Sequence, residues 1–355
     1  MKKIASVELL RFISAMMVVI WHYQQFYSPY NIFLSTEILA ANRNEQPFYI
    51  FLSLFYNYGN RGVDFFFIIS GFVFGYVYLV ENKSVKFNFF FSNRFARLYP
   101  LHFITLIIVL ILQFYSYEKF NTYLIHFSND SYHFFLNLFF ISGWGFEKGA
   151  SFNGPIWSVS LEIIIYFLFF FLIISFKKNR ILKSILLLVI LTTIRKISAD
   201  NFLQIINMKI INCGMLFFEG VLVFYLFSKL KNIKLMFSIG SILFIISIIG
   251  NFKIYIFLPS ILIIFLSFEN FIKEKLSSFF SFLGNLTYGT YLWHVPLQIS
   301  LIILIKNSGI SFSIINMKIF FLIYLSILIT LSVMSYHFFE KKMRYWLRTK
   351  LNSKN

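Results

Sequence analysis

Acidic residues are scarce in this chain. Its 355 residues include 14 Asp and Glu against 32 Lys and Arg, and charged residues together make up 13%. A water-soluble protein of this length covers its surface with about 25% charged residues, so a soluble globule is excluded. Cysteine is almost absent too, Cys213 being the single one. No disulfide can form within the chain and no zinc-ligand spacing exists, so the sequence points to no metal site. Internal repeats and low-complexity tails are also lacking. One domain over residues 1–355 is the expectation.

What the chain has instead is apolar sequence in blocks: 59% of residues are hydrophobic and 22% aromatic. The blocks approach the ~20 residues that cross a hydrocarbon core, which predicts an all-α integral membrane protein with about ten transmembrane helices. They fall near 5–27, 62–80, 98–115, 156–176, 181–197, 210–228, 235–250, 253–268, 284–305 and 318–339. Segments 48–58 and 132–142 are too short to cross, and their aromatic content suits helices lying in the interface. Met-Lys-Lys before an apolar run resembles a signal peptide. However, Arg11 interrupts that run and His-Tyr-Gln-Gln follows it, so the run reads as a retained span. With the N-terminus inside, 21 basic residues fall on inner segments and 10 on outer ones. That bias sets both termini in the cytoplasm. The net charge of +18 is therefore read as loops held against anionic headgroups, with no nucleic-acid partner.

The first span carries Glu8, Arg11 and His22. Arg11 and His22 are eleven residues apart, hence ~20° apart around a helix and ~16 Å apart along it. Glu8, Ser14 and Gln25 fall near the same line. A charge at mid-bilayer costs at least ~2.5 kcal/mol, so this stripe is expected to face protein or a wet cavity. The other polar groups settle onto two levels. His22, Arg61, Asp64, Trp157 and Glu162 come near the outer side, with Ser158 on the Glu162 face at i, i+4. A histidine beside carboxylates can activate a hydroxyl. Arg11, Arg94, Arg97 and Arg344 come near the inner side, where planar guanidinium forks suit a phosphate-bearing ligand. Their type is telling: the chain uses 23 Lys but only 9 Arg. His294 sits in the ninth span two residues before Pro296. Glu219 is a further intramembrane acid without an assigned role, and His102, His126, His133 and His337 show no metal spacing.

Six stretches, Arg11-x10-His22, GNRGVDFFFIISGF, RFARLYP, WSVSLE, LGNLTYGTYLWHVP and HFFEKKMR, resemble in that order the membrane-bound acyltransferase-3 family. The resemblance runs from residue 5 to about 346. It implies a multi-pass O-acetyltransferase of the bacterial plasma (inner) membrane. Such an enzyme moves an acyl group, usually acetyl, from acyl-CoA to a glycan hydroxyl of O-antigen, capsule or exopolysaccharide. It implies no permanently bound cofactor, acyl-CoA being the donor substrate. Arg11, Arg94 and Arg97 would hold the donor. His22 would act as base, with Asp64 or Glu162 orienting it, and Arg61, Trp157, Ser158 and His294 would meet the acceptor. Gly62 and Ser70 belong to the same glycine-rich segment as Asp64. Thr287 stands where the family more often has serine. The fused esterase-like domain of some members is not expected here. Direct attack and a covalent acyl-histidine both fit these residues. Among other classes, a glycan or lipid flippase would use the same charges as a translocation path, and a glycan polymerase would want larger outer loops.

Overall fold

Apolar runs become helices throughout, because a backbone in hydrocarbon must satisfy its own polar groups. A computed structural model of the protein describes residues 3–30, 43–80, 85–175, 178–199, 207–230, 232–250 and 254–352. The helices are α1 Ala5–Tyr23, α2 Tyr49–Tyr58, α3 Gly62–Tyr78, α4 Phe87–Phe120, α5 Ser131–Leu138, α6 Ile156–Phe169, α7 Arg180–Ala199, α8 Met208–Lys229, α9 Ile233–Ile249, α10 Ile254–Ser267, α11 Glu274–Ser308, α12 Lys318–Met334 and α13 Lys341–Asn352. Wide π turns at Phe170–Ile174 and Ser335–Glu340 extend α6 and join α12 to α13. Residues 31–42 of the first predicted outer loop lie outside the described residues. So do Lys2, Lys83, Lys177, Lys231, Lys253 and Lys354 of the basic residues used for orientation.

Among the described residues eight helices are long and apolar enough to cross a membrane. Within the described residues each of the ten predicted spans is largely helical. Two of them fall short of that length and apolarity. α9 is a shorter apolar helix of 17 residues, and α7 carries Arg180, Lys183, Arg195 and Lys196. α2 is less separate than its length suggests. A single 3-10 turn, Gly59–Arg61, joins it to α3, and the two together make one apolar stretch of 30 residues. Large apolar side chains also face outward, among them Ile50, Phe51, Leu182, Val189, Ile245 and Ile249. On a soluble surface such a display would drive aggregation, whereas against lipid it is what the environment requires.

The chain divides into two compact units. The first comprises Met1–Ser14, Val63–Phe87 and Leu161–Asn285. Its core is aromatic: the Phe74 ring stacks on Tyr166 at 4.4 Å and meets Phe217 edge-on at 5.3 Å. Within it α3 and α8 touch backbone to backbone. A Cβ at Gly71 would lie 1.8 Å from the Phe217 carbonyl oxygen, and one at Gly220 2.0 Å from that of Ile68. A helical carbonyl cannot turn aside, so either Gly71→Ala or Gly220→Ala must push the helices apart. Each substitution is expected to cost about 1–3 kcal/mol, read as a lower melting temperature of the detergent-solubilised protein.

The second unit comprises Ala15–Gly62, Asn88–Ser160 and Leu286–Asn355. Its core gathers Val19, Tyr23 and Phe26, then Leu106 and Val109, then Val295, Ile299 and Ile302, closed by Tyr324 and Leu328. The Tyr23 hydroxyl donates to the Ile315 carbonyl at 2.6 Å, which satisfies the one polar atom that this buried ring brings inside.

Candidate functional site

The second unit holds His22, and its local chemistry is set by α1 itself. His22 Nδ1 lies 2.9 Å from the Val18 carbonyl, one turn back. A carbonyl only accepts, so Nδ1 carries the proton and Nε2 of the neutral ring keeps its lone pair. The Trp21 ring meets the imidazole edge-on at 4.7 Å, and the His294 ring lies 4.8 Å away, tilted by 50°.

His294 belongs to a stretch of α11 that makes four cross-links within this unit. Pro296 has no N–H, so the Leu292 carbonyl four residues earlier loses its helical partner. Asn153 Nδ2 donates to it at 3.0 Å. Tyr291 and Ser158 share the Pro155 carbonyl at 2.9 and 3.1 Å, and their hydroxyls lie 2.8 Å apart. One turn past His294, Gln298 donates to the His22 carbonyl at 2.7 Å. Two of the sequence signatures, NGPIWSVS and YLWHVP, are thereby docked on each other. Ser158 is 5% exposed, and its hydroxyl is engaged in this docking.

A third imidazole joins them, one to which the sequence assigns no role. His126 sits in the loop after α4, within electrostatic range of both His22 and His294. Gln113 sets that loop by donating to the Leu124 carbonyl at 2.7 Å and accepting from its N–H at 3.0 Å. Ile125 takes a left-handed φ of 65°, a costly conformation for a β-branched residue. Gly154 makes the space, since a Cβ there would lie 2.2 Å from His126 Nε2. No ring nitrogen of His126 or His294 meets a partner at good hydrogen-bond geometry, although the Ile125 backbone stands near the first ring and the Thr290 and Tyr291 backbone near the second. No i, i+4 spacing or motif marks His126, so only the folded loop reveals it.

Burial, reinforced by the nearby His22, pushes the His126 imidazole from 6.5 down to about 3, against the opposing pull of the Ile125 backbone. The folded state therefore binds fewer protons than the unfolded state between those values. Stability conferred by the neutral ring is complete above pH 6.5 and drains away as the pH falls toward 3, by at most about 1.4 kcal/mol per pH unit. His126→Gln should flatten this part of the stability profile. Thermal unfolding of the solubilised protein across that range, wild type against variant, measures it.

The remaining predicted residues are distributed as follows. In the second unit Arg61 is exposed at the end of the turn before α3, and Trp157 is half-buried near the start of α6. Arg94 and Arg97 lie on α4, whose helix begins well before the predicted boundary. Glu340 lies within electrostatic range of Arg97 and Arg344 and accepts from Ser335 at 3.1 Å. In the first unit Arg11 Nη1 donates to Glu8 at 3.1 Å, with Lys3 3.9 Å from the same oxygen. Gly284 of α11 lies against that carboxylate. Glu162 accepts from Ser70 at 2.7 Å and also from the Tyr166 hydroxyl. Asp64 and Glu162 both act electrostatically on Cys213. Among the described residues no group of three or more His, Cys, Asp or Glu is placed to hold a metal ion.

Stacked apolar helices with charged and imidazole groups inside define a multi-pass, all-α membrane protein. The chain matches the acyltransferase-3 model, an acyltransferase domain, over residues 4–337, and it belongs to that family of acyltransferase-type enzymes. No curated protein and no solved structure matches it.

Proposed function

We propose that the protein moves an acyl group, acetyl in the first instance, from acyl-CoA on the cytoplasmic side to a hydroxyl of a surface or lipid-linked glycan on the outer side. It would do so as a ten-span enzyme of the bacterial plasma membrane with both termini in the cytoplasm. The observation that carries this reading is the His22 tautomer. An imidazole whose Nδ1–H is held by its own helix offers Nε2 as a base of fixed direction.

In the proposed reaction Nε2 takes the proton of the acceptor hydroxyl. The freed oxygen attacks the thioester carbonyl, the C–S bond breaks, and the thiolate leaves with the proton returned from the imidazolium. Ester and free CoA thiol are the products. Arg11, Arg94 and Arg97 are assigned to the donor phosphates, whose oxygens match guanidinium forks. Asp64 and Glu162 are assigned to support the charge that His22 gains. Arg61, Trp157 and His294 are assigned to the acceptor, together with the Ser158 segment.

Mass spectrometry of surface glycans from cells with and without the gene tests the reading. An acetyl ester present in the first and missing in the second supports it. Glycan that carries no ester in either, but changes in amount at the surface, would replace acyl transfer with translocation.

A further inference from the structure

Three of the chain's six histidines meet in the second unit, although they come from the first helix, a loop and the eleventh helix. Their nitrogens are in an unusual state. His294 is fully buried and His126 is 8% exposed, yet none of their four ring nitrogens makes a hydrogen bond of good geometry, the nearby backbone of Ile125 for His126 and of Thr290 and Tyr291 for His294 being poorly aligned. A neutral imidazole always has one donor and one acceptor to satisfy. Each one left unmet in the interior costs about 1–3 kcal/mol. Buried polar groups are nearly always paired, and exceptions call for a missing partner. The partner must itself both donate and accept, several times over, within a few ångströms. That is the description of a polyhydroxylated molecule.

The surrounding chain holds His126 in this state. Gln113 clamps the loop from both sides of Leu124, and Asn129 fixes the His126 carbonyl at 2.6 Å. The glycine at 154 lacks the Cβ that would overlap the ring. Of the neighbouring residues, His22 and Gly154 keep partial exposure. A ring that merely filled space would be better replaced by an apolar one, with no penalty for unmet nitrogens.

We propose that His126 is an acceptor-binding residue: together with His294 it hydrogen-bonds hydroxyls of the sugar beside the one that His22 activates, and Gly154 is glycine to admit it. This rests on the acyl-transfer reading and adds to it a residue and a chemical class, a ligand with adjacent hydroxyls. His126 would then fix which hydroxyl faces His22, while His22 performs the proton transfer. Because its ring stays neutral, it serves as donor and acceptor at once.

The test uses full-length protein in membranes from cells lacking the endogenous gene, supplied with labelled acetyl-CoA and glycan extracted from the producing cells. Half-saturating concentrations of the two are measured separately for wild type, His126→Ala and His126→Gln. The expected result is a rise of about tenfold or more for glycan in His126→Ala, no change for acetyl-CoA, and partial recovery in His126→Gln, whose amide also donates and accepts. Amounts of inserted protein are compared by blot, and His126→Gln provides the folded control if His126→Ala is lost. An unchanged half-saturation for glycan in both variants overturns the assignment while leaving acyl transfer intact. So does an equal rise for both substrates in the two variants. A wild type that forms no ester overturns the acyl-transfer reading itself.

Discussion

His22→Ala should lower acyl transfer by about 10²–10⁴-fold, the range by which a positioned general base accelerates proton transfer. The substitution removes Nε2 but disturbs little else. The Nδ1 bond to Val18 is local to α1, and Gln298 holds the backbone carbonyl of residue 22 rather than its ring. Membrane insertion and acyl-CoA affinity should therefore be unchanged. The measurement is a transfer rate under saturating donor, paired with donor binding to the same membranes. Near-wild-type transfer in His22→Ala would strip the imidazole of its assigned role. Loss of donor binding in parallel would recast it as a structural residue.

The second large effect is expected at Arg11, where two consequences can be separated. Arg11 and Glu8 are nearly buried, their side chains 16% and 10% exposed. Arg11→Ala leaves the Glu8 carboxylate without its guanidinium, which for a buried pair costs about 3 kcal/mol or more. Lys3, 3.9 Å away, keeps the loss toward the lower end. Arg11→Lys retains the charge but not the fork, so it should raise the half-saturating acyl-CoA concentration about tenfold while leaving the saturated rate intact. The double variant Glu8→Gln with Arg11→Ala removes both ions and should regain much of the stability, yet stay impaired toward the donor. Recovery of both properties together would make the pair purely structural. Melting temperature and donor saturation curves on one set of membranes distinguish these outcomes.

How far the sequence carries can be judged element by element. Helices in the spans were legible because lipid-length apolar runs leave the backbone no alternative. Their ends were not. α4 was expected over 98–115 and runs from Phe87 to Phe120, because NRFARLYP is helical despite its charges. Pro100 is accommodated within the helix, and the neighbouring Leu98 carbonyl accepts from Tyr288 at 2.6 Å. At the site, Pro296 announces that the Leu292 carbonyl needs a donor, but nothing local names Asn153, 139 residues away, as its supplier. Ser158 and Tyr291 stand out as members of polar stretches, whereas the 2.8 Å contact that joins them is tertiary. His126 shows the limit most sharply. Its neighbours along the chain are unremarkable, and its significance comes from a loop clamp and a glycine 28 positions on.

The start of α1 is tied down in a way that limits how the helix itself can move. The Glu269 carboxylate accepts from the Ala5 and Ser6 N–H groups at 2.9 and 2.8 Å, and from the Ser6 hydroxyl at 2.7 Å. A carboxylate on the unpaired amides of a helix start is favoured by the helix dipole as well. Sliding this helix along its own axis would break all three bonds at once. Piston-like motion of α1 is thereby disfavoured, and the helix stands as a stationary rail.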